Sequence, residues 1–369
     1  MTTPGYHCQV ADGVHGMATR IGQLPRLTLS CLPTPLQPLR NAERAIPGCR
    51  AEVLVKRDDL AGFSTAGNKA RLLEFLVADA ITEGAHTVVG CGPTNSNFVA
   101  ALAQACAVSD LACEIHIPGV ITENPALALA RAAGASVASA PVTRHEIDDY
   151  VAQRANELSA AGSPAYAIPR GGATSVGAVG YALAAVEVCG QLGDRDDVAL
   201  VIPAGSCASA AGLWAGLSLL GASHRVVAVS TNRHIDEARE VMLAVGQGVL
   251  TALGGSDDGL SDRLTLIDRT DGVSQEDLVA VSRALRHSAM VAPDHYGPAT
   301  VCEVARAACT PLADTVVWWH TGGVLGMPQM LDTLTRYRAE TNSQGDWRNL
   351  TADALWDSRR PRHPPSATV

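Results

Sequence analysis

The chain has 369 residues, 47% of them hydrophobic and 18% charged, with a formal net charge of −9 and only 4% aromatics. That length exceeds a single ordinary core and suggests two domains, and the composition fits a soluble globular enzyme rather than a disordered chain. The acidic balance, with no long basic run, argues against nucleic-acid binding and against adhesion to an anionic membrane surface.

Residues 1–50 are turn-rich around Pro33-Thr34-Pro35-Leu36, and no secretory h-region is visible in residues 1–25. The alternation in Ala51 to Lys56 predicts a half-buried strand. Next comes Phe63-Ser64-Thr65-Ala66-Gly67-Asn68-Lys69, a turn-forming stretch ahead of an amphipathic helix over Ala70–Glu83. A lysine there, partly sheltered from water, loses its proton more easily than a solvated one, which Schiff-base chemistry requires. An ordinary exposed lysine at a helix start is the competing reading. The stretch is not a Walker A loop: Asn68 separates the second glycine from Lys69, and Ala70 stands where a magnesium-binding hydroxyl belongs.

Thr87–Gly90 reads as a strand running into the polar loop Asn95-Ser96-Asn97 and a helix over Phe98–Ala107. Strands are expected at 112–117 and 136–138, with helices at 124–133 and 144–160. The strand 165–169 ends in Gly171-Gly172 and feeds a helix over 176–192. Val198 to Ala222 is long and uncharged enough to suggest a membrane span, but its prolines, glycines and serines fit a strand, a turn and a helix better. That turn, Gly205-Ser206-Cys207-Ala208-Ser209, offers backbone N–H groups and hydroxyls to an anion at a helix start. Strands follow at 225–230 and 315–320, helices at 235–245, 275–286 and 299–308, and a frayed Arg/Pro-rich tail at 358–369. His320, after two tryptophans, is expected to be buried and satisfied. The ten cysteines form no C-x-x-C pair and read as small buried hydrophobes in a reducing compartment, with no metal site.

The alternation of strands and helices predicts an α/β protein with mostly parallel twisted sheets and helices on both faces. In such sheets ligands bind beyond the carboxyl ends of the strands, where the polar glycine loops lie.

Taken in order, Leu32-Pro33-Thr34-Pro35-Leu36, Lys56-Arg57-Asp58-Asp59, Gly67-Asn68-Lys69-Ala70-Arg71, Ser96-Asn97, Ile168-Pro169-Arg170-Gly171-Gly172, Gly205-Ser206, Tyr296 and His320-Thr321-Gly322-Gly323 form a set. This set resembles the 1-aminocyclopropane-1-carboxylate deaminase and D-cysteine desulfhydrase family, within the fold type II (tryptophan synthase β-like) pyridoxal phosphate enzymes. The resemblance spans about residues 30–330. It implies a large cofactor-binding domain from 1–72 and 166–357, a small domain from 73–165, a homodimer in the cytoplasm, and a small amino acid as substrate. Lys69 would hold pyridoxal 5'-phosphate as a Schiff base and shuttle the Cα proton, with Ser96 and Tyr296 as its catalytic partners. Asn68, Asn97 and Thr321 would contact the cofactor, and Gly205, Ser206, Cys207, Ala208 and Ser209 would bind its phosphate. Asn95, Ser96, Asn97, Tyr296 and His295 would face the substrate. The implied activity is a lyase or deaminase reaction at Cα, by β-elimination or ring opening, releasing ammonia and a 2-oxo acid. The alternatives are β-replacement by a second nucleophile and a non-catalytic relative that keeps the cofactor. Among the departures from the family, Asn95 stands for a glutamine, Phe98 for a histidine, and Gly297 for the residue expected at the pyridine nitrogen.

Overall fold

The computed structural model describes residues 15–255, 263–292, 296–310, 312–342 and 367–368. A seven-stranded sheet runs in the order β1 (Leu36–Pro38), β2 (Glu52–Arg57), β10 (Thr315–His320), β7 (Val198–Pro203), β8 (Arg225–Ser230), β9 (Leu264–Asp268) and β11 (Ala367–Thr368). Its inner strands are parallel, and only the edge pairs β1–β2 and β9–β11 are antiparallel. A four-stranded parallel sheet has the order β5 (Ser136–Ala140), β4 (Ala112–Pro118), β3 (Thr87–Cys91) and β6 (Ala165–Ile168). The parallel α/β architecture expected from the sequence is therefore present.

The helices of eight or more described residues are α1 (Lys69–Thr82), α2 (Asn97–Val108), α3 (Pro125–Ala132), α4 (Ile147–Ala160), α5 (Ser175–Leu192), α6 (Ala208–Leu219), α7 (Ile235–Ala252), α8 (Gln275–Ser288), α9 (Gly297–Cys309) and α10 (Met327–Asn342). Local chemistry sets several starts. Asn124 Oδ1 accepts from Ala126 N at 2.9 Å with Pro125 behind it, Thr174 Oγ1 accepts from Gly177 N at 3.2 Å, and Ser274 and Asp277 form a capping box.

Helix α5 lies at the centre, packed on α1, α6 and α7. A Cβ on Gly180 of α5 would stand 2.1 Å from the Arg71 carbonyl oxygen, and one on Gly212 of α6 would stand 2.1 Å from that of Ala178. Both contacts are backbone against backbone and leave no room for a side chain. The segment Arg170–Leu192 is long and apolar enough to cross a membrane, and its helix is a core element of this fold.

Strand β2 is buried on both faces, where the alternation predicts half-burial. The reason is a buried ionic network that satisfies its polar residues. Asp58, fully buried, accepts from Thr34 Oγ1 (2.8 Å), Arg71 Nε (3.0 Å) and Nη2 (2.8 Å), Tyr181 Oη (2.7 Å) and Trp319 Nε1 (2.8 Å). Arg71 also donates to Glu187, which receives Lys56 as well. Burial alone pushes the Asp58 carboxyl up; Arg71, with Trp319 and Tyr181, outweighs it and holds the group below its usual range.

The expected domain limits at 72/73 and 165/166 fall inside α1 and inside β6. β6 pairs with β3 in the smaller sheet. The expected frayed tail differs at Ala367 and Thr368, which add β11 to the edge strand β9 by backbone pairing.

Candidate active site

The loops that leave β3, β7, β8 and β10 at their carboxyl ends, together with the start of α1, enclose a cavity of about 560 Å³ between the two sheets. Lys69, half-buried at the first position of α1, lines it. The turn before the lysine is pinned to the loop after β10. Asn68 N donates to Thr321 O at 3.0 Å, and Gly67, at φ +54, lies so close that a Cβ would meet that same oxygen at 2.3 Å. Only glycine fits both the left-handed backbone and the space.

Of the residues expected from the sequence, Lys69, Asn68, Asn95, Ser96, Asn97, Gly205, Ser206, Tyr296 and Thr321 line this cavity. Ser96 is also the N-cap of α2, its Oγ accepting from Val99 N at 3.3 Å. Cys207, Ala208 and Ser209 are buried at the start of α6 and are not among the lining residues. Ser209 Oγ instead accepts from Asn68 Nδ2 at 2.9 Å, tying the helix beneath the anion loop to the residue before Lys69. Cys207 caps α6 at φ +74, a left-handed conformation that costs a non-glycine residue energy. His295 lies outside the described residues.

His320 is buried and satisfied, as the sequence suggested. Its Nε2 bonds Val291 O at 2.5 Å and its Nδ1 accepts from Gly322 N at 3.2 Å. Desolvation holds it below its usual value, hence neutral. Gly297 is not a cavity residue; a Cβ there would stand 2.9 Å from the Ala292 carbonyl carbon, so packing accounts for the glycine. Phe98 is buried and forms part of the cavity wall.

Sequence reasoning missed Asn232, Arg233 and Arg144, and gave no site role to Arg170; all four line the cavity. Asn232 Nδ2 donates to Tyr296 Oη at 2.7 Å, and Arg144 Nη2 donates to Asn232 O at 3.0 Å. Arg170 holds Asp148 through Nε (2.9 Å) and Nη2 (2.8 Å). The rule that ligands sit at the carboxyl ends of parallel strands points to Asn232 and Arg233, which follow β8.

The residues present fit pyridoxal phosphate. The cavity offers one amine, an amide and hydroxyl set at 95–97, and a loop that opens α6 for an anion. The Tyr296 ring packs directly on the backbone of that loop at Gly205, where a Cβ would stand 2.3 Å from Tyr296 Cε1. Lysine and arginine are its only charged residues among the described lining residues. Such a lining suits a ligand with an anionic group and a carbonyl carbon that an amine can attack.

Residues 27–322 match the model of the family described as pyridoxal-phosphate dependent enzyme. The chain is 31% identical over 242 residues to the D-cysteine desulfhydrase of Yersinia enterocolitica, covering 64% of this chain and 72% of that protein. It is 30% identical over 313 residues to a protein of Pyrococcus horikoshii named as a candidate 1-aminocyclopropane-1-carboxylate deaminase, covering 83% and 94%. The crystal structure of an ACC deaminase homologue superposes with a TM-score of 0.79 at 26% identity, covering 87% of this chain and 99% of that one. With the family's motifs gathered around one lysine-bearing cavity, the chain belongs to the pyridoxal-phosphate dependent enzymes.

Proposed function

We propose that this chain is a pyridoxal phosphate-dependent lyase or deaminase that acts at Cα of a small amino acid and releases ammonia and a 2-oxo acid. One observation carries the reading: Lys69, Ser96 and Tyr296 share a single cavity with the anion loop Gly205-Ser206. When bound, the cofactor supplies an electron sink that makes carbanion character at Cα accessible. Lys69 Nζ would hold the cofactor and would serve as the base for the Cα proton. Asn97 would hydrogen-bond the cofactor's phenolic oxygen. Asn95 and Ser96 bind the substrate carboxylate, and the Ser96 hydroxyl assists proton transfer. Tyr296 Oη, held at 2.7 Å by Asn232, delivers or removes a proton at the substrate's distal end. Thr321, which lines the cavity where Gly297 does not, would be the residue to contact the pyridine nitrogen. Names of the relatives support the substrate class: D-cysteine for one, the cyclopropane amino acid for another.

We infer a large unit from 1–72 and 166–357 and a small unit from 73–165. The reading of two units is supported by the two separate sheets, with the pairing of β6 to β3 carrying the second limit past Ile168. A cytoplasmic homodimer is proposed from the family resemblance, with light scattering after size exclusion as its check. β-Replacement is the second reading, favoured by the apolar wall of Phe98, Ile117 and Val120, which suits a second, apolar nucleophile.

The test begins with the visible absorbance of the purified, cofactor-loaded protein. Lys69→Ala should abolish the lysine-bound band. D-cysteine, β-chloroalanine and 1-aminocyclopropane-1-carboxylate are then screened for 2-oxo acid. A coloured protein that forms no 2-oxo acid from any of them would sink the lyase reading. Mass spectrometry of two-substrate incubations would then look for the adduct.

A further inference from the structure

The β8–α7 turn presents a buried arginine to the same cavity. Strand β8 lies parallel to β7, with Pro203 opposite Val229, and Ala204 N donates to Val229 O at 2.8 Å. The loops that leave these neighbouring strands therefore emerge side by side. One carries Gly205 and Ser206; the other carries Arg233, and all three line the cavity. Ser230 Oγ donates to Arg233 O at 2.6 Å and fixes the turn.

Only 6% of the Arg233 side chain is exposed. Burying a guanidinium that deeply is costly unless its donors are used. Arg233 Nη1 pairs with Glu237, one helical turn on, while Nε is buried with no acceptor. Arginine's planar fork suits two oxygens of one phosphate, so a fork with a spare donor beside an anion loop has an evident use. The guanidinium is also close enough to act on Cys207, the residue that caps α6. Burial pushes that thiol up to about 12, and Arg233 pulls in the other direction. Among the other cavity arginines, Arg170 turns Nε and Nη2 to Asp148 and keeps only a buried Nη1 without an acceptor, and the exposed Arg144 reaches the Asn232 carbonyl.

We propose that Arg233 is a direct contact of the cofactor phosphate, adding a side-chain cation to the backbone N–H groups that open α6. The inference rests on the cofactor-binding reading above and deepens it, naming a residue outside the anion loop that selects the phosphorylated cofactor.

The test compares pyridoxal phosphate with pyridoxal, which has the same aldehyde and ring without the phosphate. Apo wild type, Arg233→Met and Arg233→Lys are titrated with each, following the absorbance of the lysine-bound chromophore. Circular dichroism checks folding, and Arg233→Gln replaces the methionine variant if that one does not fold. Loss of a charge-assisted hydrogen bond predicts that Arg233→Met binds pyridoxal phosphate about ten- to a hundredfold more weakly. Pyridoxal binding should stay within about twofold of wild type, because the contact is absent there, and Arg233→Lys should fall between, since it keeps the charge but not the fork. Equal losses for both aldehydes, or no loss for pyridoxal phosphate, would overturn the assignment. Unchanged cofactor binding with a raised KM for the amino acid would also overturn it, and would move Arg233 to the substrate. A wild type that binds neither aldehyde would refute the proposed function itself, a result distinct from the preceding ones.

Discussion

A single methyl group at position 205 should disable the enzyme by displacing Tyr296. In the folded chain a Cβ at Gly205 would lie 2.3 Å from Tyr296 Cε1, 2.8 Å from Cζ and 3.1 Å from Cδ1. Comfortable carbon–carbon contact begins near 3.5 Å, so in Gly205→Ala the ring must retreat by roughly 1 Å or the anion loop must shift. A retreat of that size stretches the 2.7 Å bond from Asn232 to Tyr296 past the useful range. Misplacing a reacting group by about 1 Å costs on the order of a hundredfold in rate, and overpacking costs about 1–3 kcal/mol in stability. We expect Gly205→Ala to lower kcat/KM about a hundredfold in the 2-oxo acid assay. Its affinity for the cofactor, measured by titration, should change much less. Tyr296→Ala supplies the decisive background, because it removes the ring that the methyl would strike. If the mechanism is right, adding Gly205→Ala to Tyr296→Ala costs little more. Losses that multiply in the double variant would show that the methyl acts on the anion loop instead, and a single variant within about threefold of wild type would refute the reasoning outright.

Arg71→Met leaves Asp58 buried without its cation, and urea unfolding should register a loss of about 3–5 kcal/mol; a change below about 1 kcal/mol would mean the network is not what holds α1 to β2. Phe98→Ala opens a void in a buried wall and should cost about 3–5 kcal/mol by the same measurement. His320 supplies a pH dependence. Desolvation depresses its folded-state value below 6.5, so the unfolded chain takes up the proton first as pH falls. Its stabilising contribution is therefore complete above 6.5 and declines below it. The melting temperature should drop between about pH 7 and pH 5, and the drop should be shallower in His320→Gln; an identical slope in both would count against a neutral buried imidazole.

Much of the architecture was legible because its strands are short β-branched runs that end in glycine loops. β8 and β10 match their expected limits, residues 225–230 and 315–320. β9 was not recognised: Leu264–Asp268 is only five residues long and follows a Gly/Asp/Ser-rich stretch that dominates its surroundings. α10 escaped notice because Met327–Asn342 is mostly polar and its apolar positions give a weak stripe. Within the site, Lys69 and the polar residues at 95–97 announced themselves by type and by their place between strand and helix. Asn232 and Arg233 did not, because nothing local marks them. Their importance comes from the pairing of β8 with β7, which brings one loop beside another. The ionic network around Asp58 was equally hidden, since its members are spread from Thr34 to Trp319.

The two glycine contacts on α5 bear on how this scaffold could be altered. The helix that begins with Lys69 rests on Gly180, and the helix that begins after Gly205-Ser206 rests its Gly212 on Ala178. The reach from amine to anion loop is thus set by main chain against main chain, with no rotamer in between to adjust it. A ruler of that kind cannot be retuned by exchanging core side chains. Loop 93–98, in contrast, hangs from the smaller sheet, outside that stack. Variation aimed at new substrates therefore has a natural territory there, where it can reshape one wall of the cavity while the distance that the cofactor must span is left untouched.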